Sequence, residues 1–451
     1  MINFGLEGYL GSALYVLAVW LVFYSIFKRP LAGLYVLVPM IPLQTIRYRL
    51  QAYPLGGSVV GVTLLAVAIG LLLKRRSLLG RTPWNTILIA FCIFTFVSLC
   101  WGSLYLKQPL PFFLADDARF ADWREYILMP GFLFLTAAAV ETRKQILILV
   151  VLMCFGAVAL DKSFWSTVSD RDFTEYSDDL RDPGAMGYAG VNGLAAFEAQ
   201  FATFVLAMAS YEKRRLYRWS YWAMAAASVL CLMFSLSRGG YAALVVGLLF
   251  VGLVKIRRLL VVMLVFGLVW TAVVPNAVRE RVLMTWDTKD GGLDHSSETR
   301  VGLWEDAMRV VDTSPIIGTG FNTYAYMGRV GDYKDTHNYF IKVLVETGVV
   351  GLLLFLCLLF RLLWTGLVLH WRASDPLVRA LGLGLAGWVV CSVVANMFGD
   401  RWSFLQVNGY MWVIAGLAAR GWMLEQHLPD DELQDELVQP DSIWEPQVAV
   451  S

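Results

Sequence analysis

Apolar residues along this chain come in long unbroken runs, and a run of roughly 20 such residues is what an α-helix needs to cross the hydrocarbon core of a bilayer. The runs predict helices at about 9–27, 31–46, 58–73, 84–104, 126–140, 145–160, 191–210, 218–236, 240–254, 259–274, 340–360, 377–398 and 403–419. Pro39 and Pro42 interrupt the backbone ladder of the second run, so that it reads as a broken or re-entrant segment. The predicted fold is therefore all-α, a polytopic integral membrane protein with about 12–13 transmembrane helices.

Composition agrees with that pattern. Of 451 residues, 58% are hydrophobic, 14% aromatic and only 16% charged, with a mean hydropathy of +0.59, which excludes a water-soluble globular enzyme. A formal charge of +1 gives no reason to expect a nucleic-acid partner. The distribution of charge says more than its sum. Lys28 and Arg29, Lys74 to Arg76 with Arg81, Arg143 and Lys144, Lys213 to Arg215 with Arg218, Lys255 with Arg257 and Arg258, and Arg361 with Arg372 fall in alternate connections. Such clusters resist translocation and mark the cytoplasmic side. The connections at 116–125, 161–188 and 275–338 then face outward, and an acidic tail, 421–451, reads as a disordered cytoplasmic segment. The first run lacks the flanks of a cleaved signal peptide and is expected to stay as an anchor. All six cysteines lie in apolar runs without paired spacing, which signals neither disulfides nor a zinc site.

The outward connection at 275–338 is longer than a simple link requires, and long connections are often functional. Its stretch 296–311 places Val301, Trp304, Met308 and Val311 at helical spacing, with Arg300, Glu305 and Arg309 on the other face. The expectation is an amphipathic helix along the membrane that presents guanidinium groups to an anionic ligand. Pro315, Gly318 and Gly320 follow as a turn that brings backbone close to something bulky. Then come His337 and Asn338, where the loop meets a span holding Glu346; His337 alone of the four histidines stands beside a span on the outer side. Arg238 sits in the tight outward turn SLSRGG, against the charge rule, with glycines that leave room for a phosphate to approach the backbone. Glu346 is expected to partner an arginine. Arg47 and Arg49 are outward cations suited to a positive funnel, whereas Arg119 and Arg124 lie among acids that should pair with them locally.

Asn192-Gly193-Leu194-Ala195, Ser237-Arg238-Gly239, Thr299-Arg300 through Trp304 to Pro315-Ile316-Ile317-Gly318-Thr319-Gly320, and His337-Asn338-Tyr339-Phe340 with Glu346-Thr347-Gly348 occur in that order. Over residues 185–360 the chain resembles the O-antigen ligase and polymerase superfamily of bacterial envelope glycan assembly. The resemblance implies a glycosyltransferase of the GT-C type in the inner membrane. It would take a glycan from undecaprenyl diphosphate to a lipid, glycan or protein acceptor at the periplasmic face, without a metal or cofactor. It further implies His337 as general base or acceptor-positioning group and Arg238 and Arg300 as diphosphate ligands. Arg309, Asn192, Asn338, Glu346, Arg47 and Arg49 complete the expected substrate-binding set. The expected organisation is N-terminal spans at 1–184, a ligase-like core at 185–360 with its loop at 275–338, C-terminal spans at 361–420 and the tail at 421–451. A polymerase or protein O-glycan ligase of the same superfamily and, from a different class, a polysaccharide or lipid transporter stay open. A transporter predicts charges midway through spans, and the sequence places few there apart from Glu346.

Overall fold

The computed structural model describes residues 7–44, 49–79, 82–111, 117–184, 188, 190–284, 295–329 and 336–427. Each of the thirteen apolar runs contains a helix. The first six are α1 (Glu7–Phe27), α2 (Leu31–Met40), α3 (Val59–Leu73), α4 (Asn85–Tyr105), α5 (Ala118–Ala139) and α6 (Arg143–Val168). Then follow α7 (Gly190–Tyr211), α8 (Arg215–Phe234), α9 (Arg238–Val254) and α10 (Arg257–Val273). Two helices of the long connection, α11 (Asn276–Leu283) and α12 (His295–Val311), precede α13 (Tyr339–Arg372), α14 (Pro376–Asn396) and α15 (Leu405–His427). There is no strand among the described residues. The protein is an all-α polytopic membrane protein.

Among the described residues, length and composition qualify six helices to cross a bilayer unaided: α3 counted from Gly56, α4, α6, α7, α13 and α14. The pair α10 and α11 would make a seventh but is bent by 111° at its break. The other apolar runs also fold as helices. α2 ends at Met40 with Pro39 in its last turn, and 10 residues rise only about 15 Å, half the hydrocarbon thickness. α5 begins well before the apolar run does, because Asp117 caps it by accepting the backbone N–H groups of Arg119 (2.8 Å) and Phe120 (3.2 Å). The same carboxylate pairs with the Arg119 guanidinium at 2.8 Å, so that arginine is spent locally, as its acidic neighbourhood predicted. α6 also outruns its expected end and takes Asp161 inside. There the Asp161 carboxyl faces Glu198 of α7, with Cys231 alongside. Both acids are buried, so Glu346 is not alone among acids inside the helices.

α7 is almost wholly buried and packs on α8, α9 and α14, which makes it the axis of the bundle. α13 and α4 lie alongside each other, held at one end by the Trp84 indole donating to the Arg361 carbonyl (3.2 Å). At the other end α13 breaks at Gly348 (φ 64°, ψ −171°). Four backbone hydrogen bonds fill the break. Val349 and Val350 donate to the carbonyls of Pro315 (2.9 Å) and Ile316 (3.2 Å), while Thr319 and Gly320 donate to those of Val345 (3.0 Å) and Glu346 (2.7 Å). The bulky object expected against the glycine turn is thus α13 at Gly318 and α4, through Gly102, at Gly320. Glu346 completes the plug by accepting the backbone N–H groups of Asn322 (2.9 Å) and Tyr324 (3.4 Å); the expected arginine partner is replaced by backbone donors that the sharp turn leaves exposed.

α12 also departs from expectation. Its buried face is Leu303, Ala307 and Val310, the latter two packed on Tyr324 and Val345, while Val301 and Met308 remain 37% and 38% exposed. Docking onto the plug, rather than onto the bilayer alone, decides which stripe is covered.

Gly348 occupies a backbone region essentially closed to residues with a side chain, and a Cβ there runs into the Ile316 carbonyl. Gly348→Ala is therefore expected to destabilise the protein by at least about 1–3 kcal/mol. Unfolding in detergent checks this, and an unchanged midpoint would show that the break is not required.

Candidate functional site

At the end of the bundle that carries the α13 plug lies a cavity of about 340 Å³. Arg181, Arg238, Arg281, Arg300 and Arg401 line it together with Asn192, Ser237, Gly239, Gly240, Tyr241 and Phe398, and no acidic side chain among the described residues does. All five arginines are partly buried.

Three of them are brought together by one small apolar knot. Leu180, Leu236, Ala277 and Val278 pack as a buried cluster, and Arg181, Arg238 and Arg281 each follow one of these residues within three positions. The Ala277 amide donates to the Phe173 carbonyl (3.2 Å), and the Tyr176 amide to the Glu280 carboxylate (2.8 Å), which fastens α11 to the 171–182 segment. The chain turns between α8 and α9 through Leu236 at φ 56°, and Ser237 caps α9 by accepting the Gly240 amide (3.4 Å). Asn192 ties the remaining edge: its side-chain oxygen accepts from Ser237 Oγ (2.8 Å) and from the Arg181 guanidinium (3.1 Å). A Cβ at Gly240 would press on Ala195 at 2.6 Å, so the glycine is what lets α9 seat against α7. The first turn of α9 thereby faces the cavity with its positive dipole end.

Arg401 arrives from the turn after α14. Asn396 Oδ1 accepts the amides of Arg401 (3.0 Å) and Trp402 (2.9 Å), and the Arg401 guanidinium donates to the Asp400 carbonyl (3.1 Å). The buried Asp400 carboxylate pairs with Lys342 of α13 at 3.0 Å, which locks the turn onto the helix that begins after His337. Arg300 comes from the first turns of α12. One turn on, the Trp304 indole donates to the Thr336 carbonyl (3.0 Å), holding α12 against the residue that precedes His337.

Electrostatics gives the cavity its character. Two guanidinium groups about 8 Å apart repel by roughly 2 kcal/mol at an effective dielectric near 20, so five around one void favour an anion strongly. Arg281 feels this directly. Burial, and then the charges of Arg181 and Arg238 acting against the Tyr176 side chain, push its pKa below the ordinary arginine value, though not out of the charged state. The Tyr176 ring supports it at 4.8 Å. No trio of His, Cys, Asp or Glu with metal-binding geometry occurs among the described residues.

Of the residues expected from sequence, Arg238, Arg300 and Asn192 line the cavity. His337, in a left-handed conformation (φ 50°), lies just before the start of α13 and does not line the cavity. Asn338 spends its side-chain oxygen capping α13, on the amides of Phe340 (3.0 Å) and Ile341 (3.3 Å). Glu346 holds the plug. Arg309 is exposed on α12, close to Asp306, whose carboxyl is held below the usual range chiefly by the bound Arg329 (2.8 Å). Arg49 is exposed and away from the cavity; Arg47 and the tail from 428 onward lie outside the described residues. The sequence reading missed Arg181, Arg281 and Arg401. Arg401 carried the same signal as Arg238, a cation in a short outward turn. Arg181 and Arg281 were masked by the acids beside them, Asp178, Asp179 and Asp182, and Glu280.

Comparison with known proteins bears on this geometry. Residues 223–356, from α8 to the plugged part of α13, match the family model described as O-antigen ligase. Over that segment the chain is similar to the O-antigen ligase family. The segment contains Arg238, Arg281, Arg300 and His337, while Arg181, Asn192 and Arg401 come to the cavity from outside the matched residues. No curated protein matches the chain. The match and the apolar helices together support an O-antigen ligase-like membrane enzyme.

Lys342→Met leaves the Asp400 carboxylate buried without its cation and is expected to cost about 3–5 kcal/mol of stability. Adding Asp400→Asn should recover most of the loss. Denaturant unfolding of both variants checks it; a single variant as stable as the parent would mean that the pair does not hold the Arg401 turn.

Proposed function

We propose that the protein moves a glycan from undecaprenyl diphosphate to an acceptor hydroxyl at the periplasmic face of the bacterial inner membrane, as an inverting, metal-independent glycosyltransferase of the O-antigen ligase kind. The observation that carries this reading is the cavity walled by five arginines at one end of the helices. The distribution of Lys and Arg in the short connections supports an outward position for that end.

The chemistry follows from charge. As the bond between the anomeric carbon and the diphosphate oxygen breaks, its electron pair leaves with the diphosphate, and negative charge grows there. Fixed guanidinium groups in a partly dry site stabilise that charge without reorganising. Arg238 at the α9 N-terminus and Arg300 on α12 are the ligands nearest the reaction, with Arg181, Arg281 and Arg401 completing the cradle. The acceptor oxygen attacks the anomeric carbon from the opposite side and gives its proton to the His337 imidazole. A base outside the diphosphate cavity suits that geometry, since displacement with inversion separates nucleophile and leaving group. Arg300 links the two halves, because its helix both lines the cavity and is bonded next to His337.

The same site serves a polymerase, in which the acceptor is itself a lipid-linked glycan, or a protein O-glycan ligase. Incubation of the purified protein with an undecaprenyl diphosphate glycan and candidate acceptors, followed by mass measurement, separates them. A core-lipid adduct marks a ligase, longer lipid-linked chains a polymerase, and a modified polypeptide a protein ligase. One observation favours transport instead, the acid pair Asp161 and Glu198 buried between α6 and α7. Movement of lipid-linked glycan across vesicles that contain only this protein, without any glycosidic bond formed, would put transport in place of transfer.

His337→Ala is expected to slow transfer by roughly 10² to 10⁴, and Arg238→Ala or Arg300→Ala each by about 10² to 10³, with the proteins still inserted. Lys at either arginine position should restore little, because an ammonium lacks the planar fork. Full turnover by the His337→Ala protein would remove the base role.

A further inference from the structure

A second charged cavity lies at the opposite end of α6. From Arg143 to Val168 that helix rises about 39 Å, with the 171–182 segment of the arginine cavity beyond its last turn. At its first turn the ends of α1, α3 and α5 and the start of α2 surround a void of about 310 Å³. Lys28, Arg29, Lys74 and Arg76 line it, with Glu141 as the single carboxylate among the described residues. Glu141 is already engaged, since Arg76 pairs with it at 2.9 Å and also donates to the Ala138 carbonyl (3.2 Å). The other three cations have no acid among the lining residues to answer them. Pro30, the cap residue of α2, supplies no side-chain acceptor to that helix start, so its dipole adds positive potential.

Cationic clusters at this side are expected of any multi-span protein. A cavity is not, and its rim is apolar. Phe27 is 67% exposed, Leu72 55% and Leu73 61%, and they belong to the last turns of α1 and α3, directly beside Lys28 and Lys74. A ligand that satisfies both the cations and this rim carries phosphate at one end and hydrocarbon at the other. We propose that the cavity holds the phosphate headgroup of a membrane lipid, whose acyl or prenyl chains lie along the exposed ends of α1 and α3. The site is independent of what the arginine cavity binds.

Native mass spectrometry of the full-length protein after delipidation tests it, with phosphatidylglycerol, cardiolipin, undecaprenyl phosphate and phosphatidylcholine offered in turn. Selective retention of one of the first three is expected and identifies the source of the phosphate. Phosphatidylcholine retained equally well overturns the proposal, as does inorganic phosphate that displaces lipid at equal concentration. The triple variant Lys28→Gln, Arg29→Gln, Lys74→Gln should retain the lipid on the order of 10² less tightly; Arg76 is kept because it holds Glu141. Should that variant fail to insert, photolabelling of the unmodified protein with a diazirine-tailed form of the retained lipid decides. Label concentrated on peptides holding Phe27, Leu72 and Leu73 supports the site, and label spread evenly over all exposed helices overturns it.

Discussion

Like charges repel, and the arginine end of this bundle is organised around holding five of them in place. Each guanidinium sits on a different segment, the loop before α7, the first turn of α9, α11, α12 and the turn after α14. No single helix could present them to one void, so the cavity is a product of tertiary packing. The repulsion that the packing resists becomes binding energy when an anion arrives. A site assembled in this way is charged and waiting before its ligand enters, which is what stabilisation of a departing diphosphate requires.

Two devices resist the repulsion. One is the apolar knot of Leu180, Leu236, Ala277 and Val278, which sets hydrophobic contact beneath three of the arginines. The other is the plug at Gly348, where Pro315 to Gly320 take up the hydrogen-bonding groups that the break in α13 exposes. Irregular backbone at that depth survives because helix and loop satisfy each other. The plug also fixes α12, since Ala307 and Val310 rest on Tyr324 and Val345. Through Trp304 and Thr336 it sets Arg300 next to the segment that carries His337. The glycine-rich motif and the acid in the span thus position the site without touching its cavity.

Hydropathy made the helices legible because burial in lipid or protein requires the same apolar runs. It misplaced their ends where polar residues continue a helix, as at Ala118, where Asp117 supplies the cap, and at Asp161, which α6 keeps inside. It could not tell which stripe of α12 is covered, since that depends on the plug. Arg238 stood out by breaking the charge rule, and Arg401 stood in the same kind of turn; Arg181 and Arg281 could not stand out, because charge counted along the chain cancels against neighbouring acids, one of which, Asp178, stays 3.8 Å from Arg181. Glu346 was legible as functional in the broad sense, yet its partners are backbone amides that no residue pattern advertises. His337 was singled out by position and by resemblance, and α12 is what connects its segment to the cavity.

A cryo-electron microscopy map of the protein with a non-transferable undecaprenyl diphosphate glycan analogue examines the site most directly. Both phosphates should lie within hydrogen-bonding distance of Arg238 and Arg300, ringed by Arg181, Arg281 and Arg401, with the anomeric carbon turned toward His337. Phosphate density outside this cavity, or a sugar turned away from the imidazole, would contradict the assignment of the cavity as the donor site.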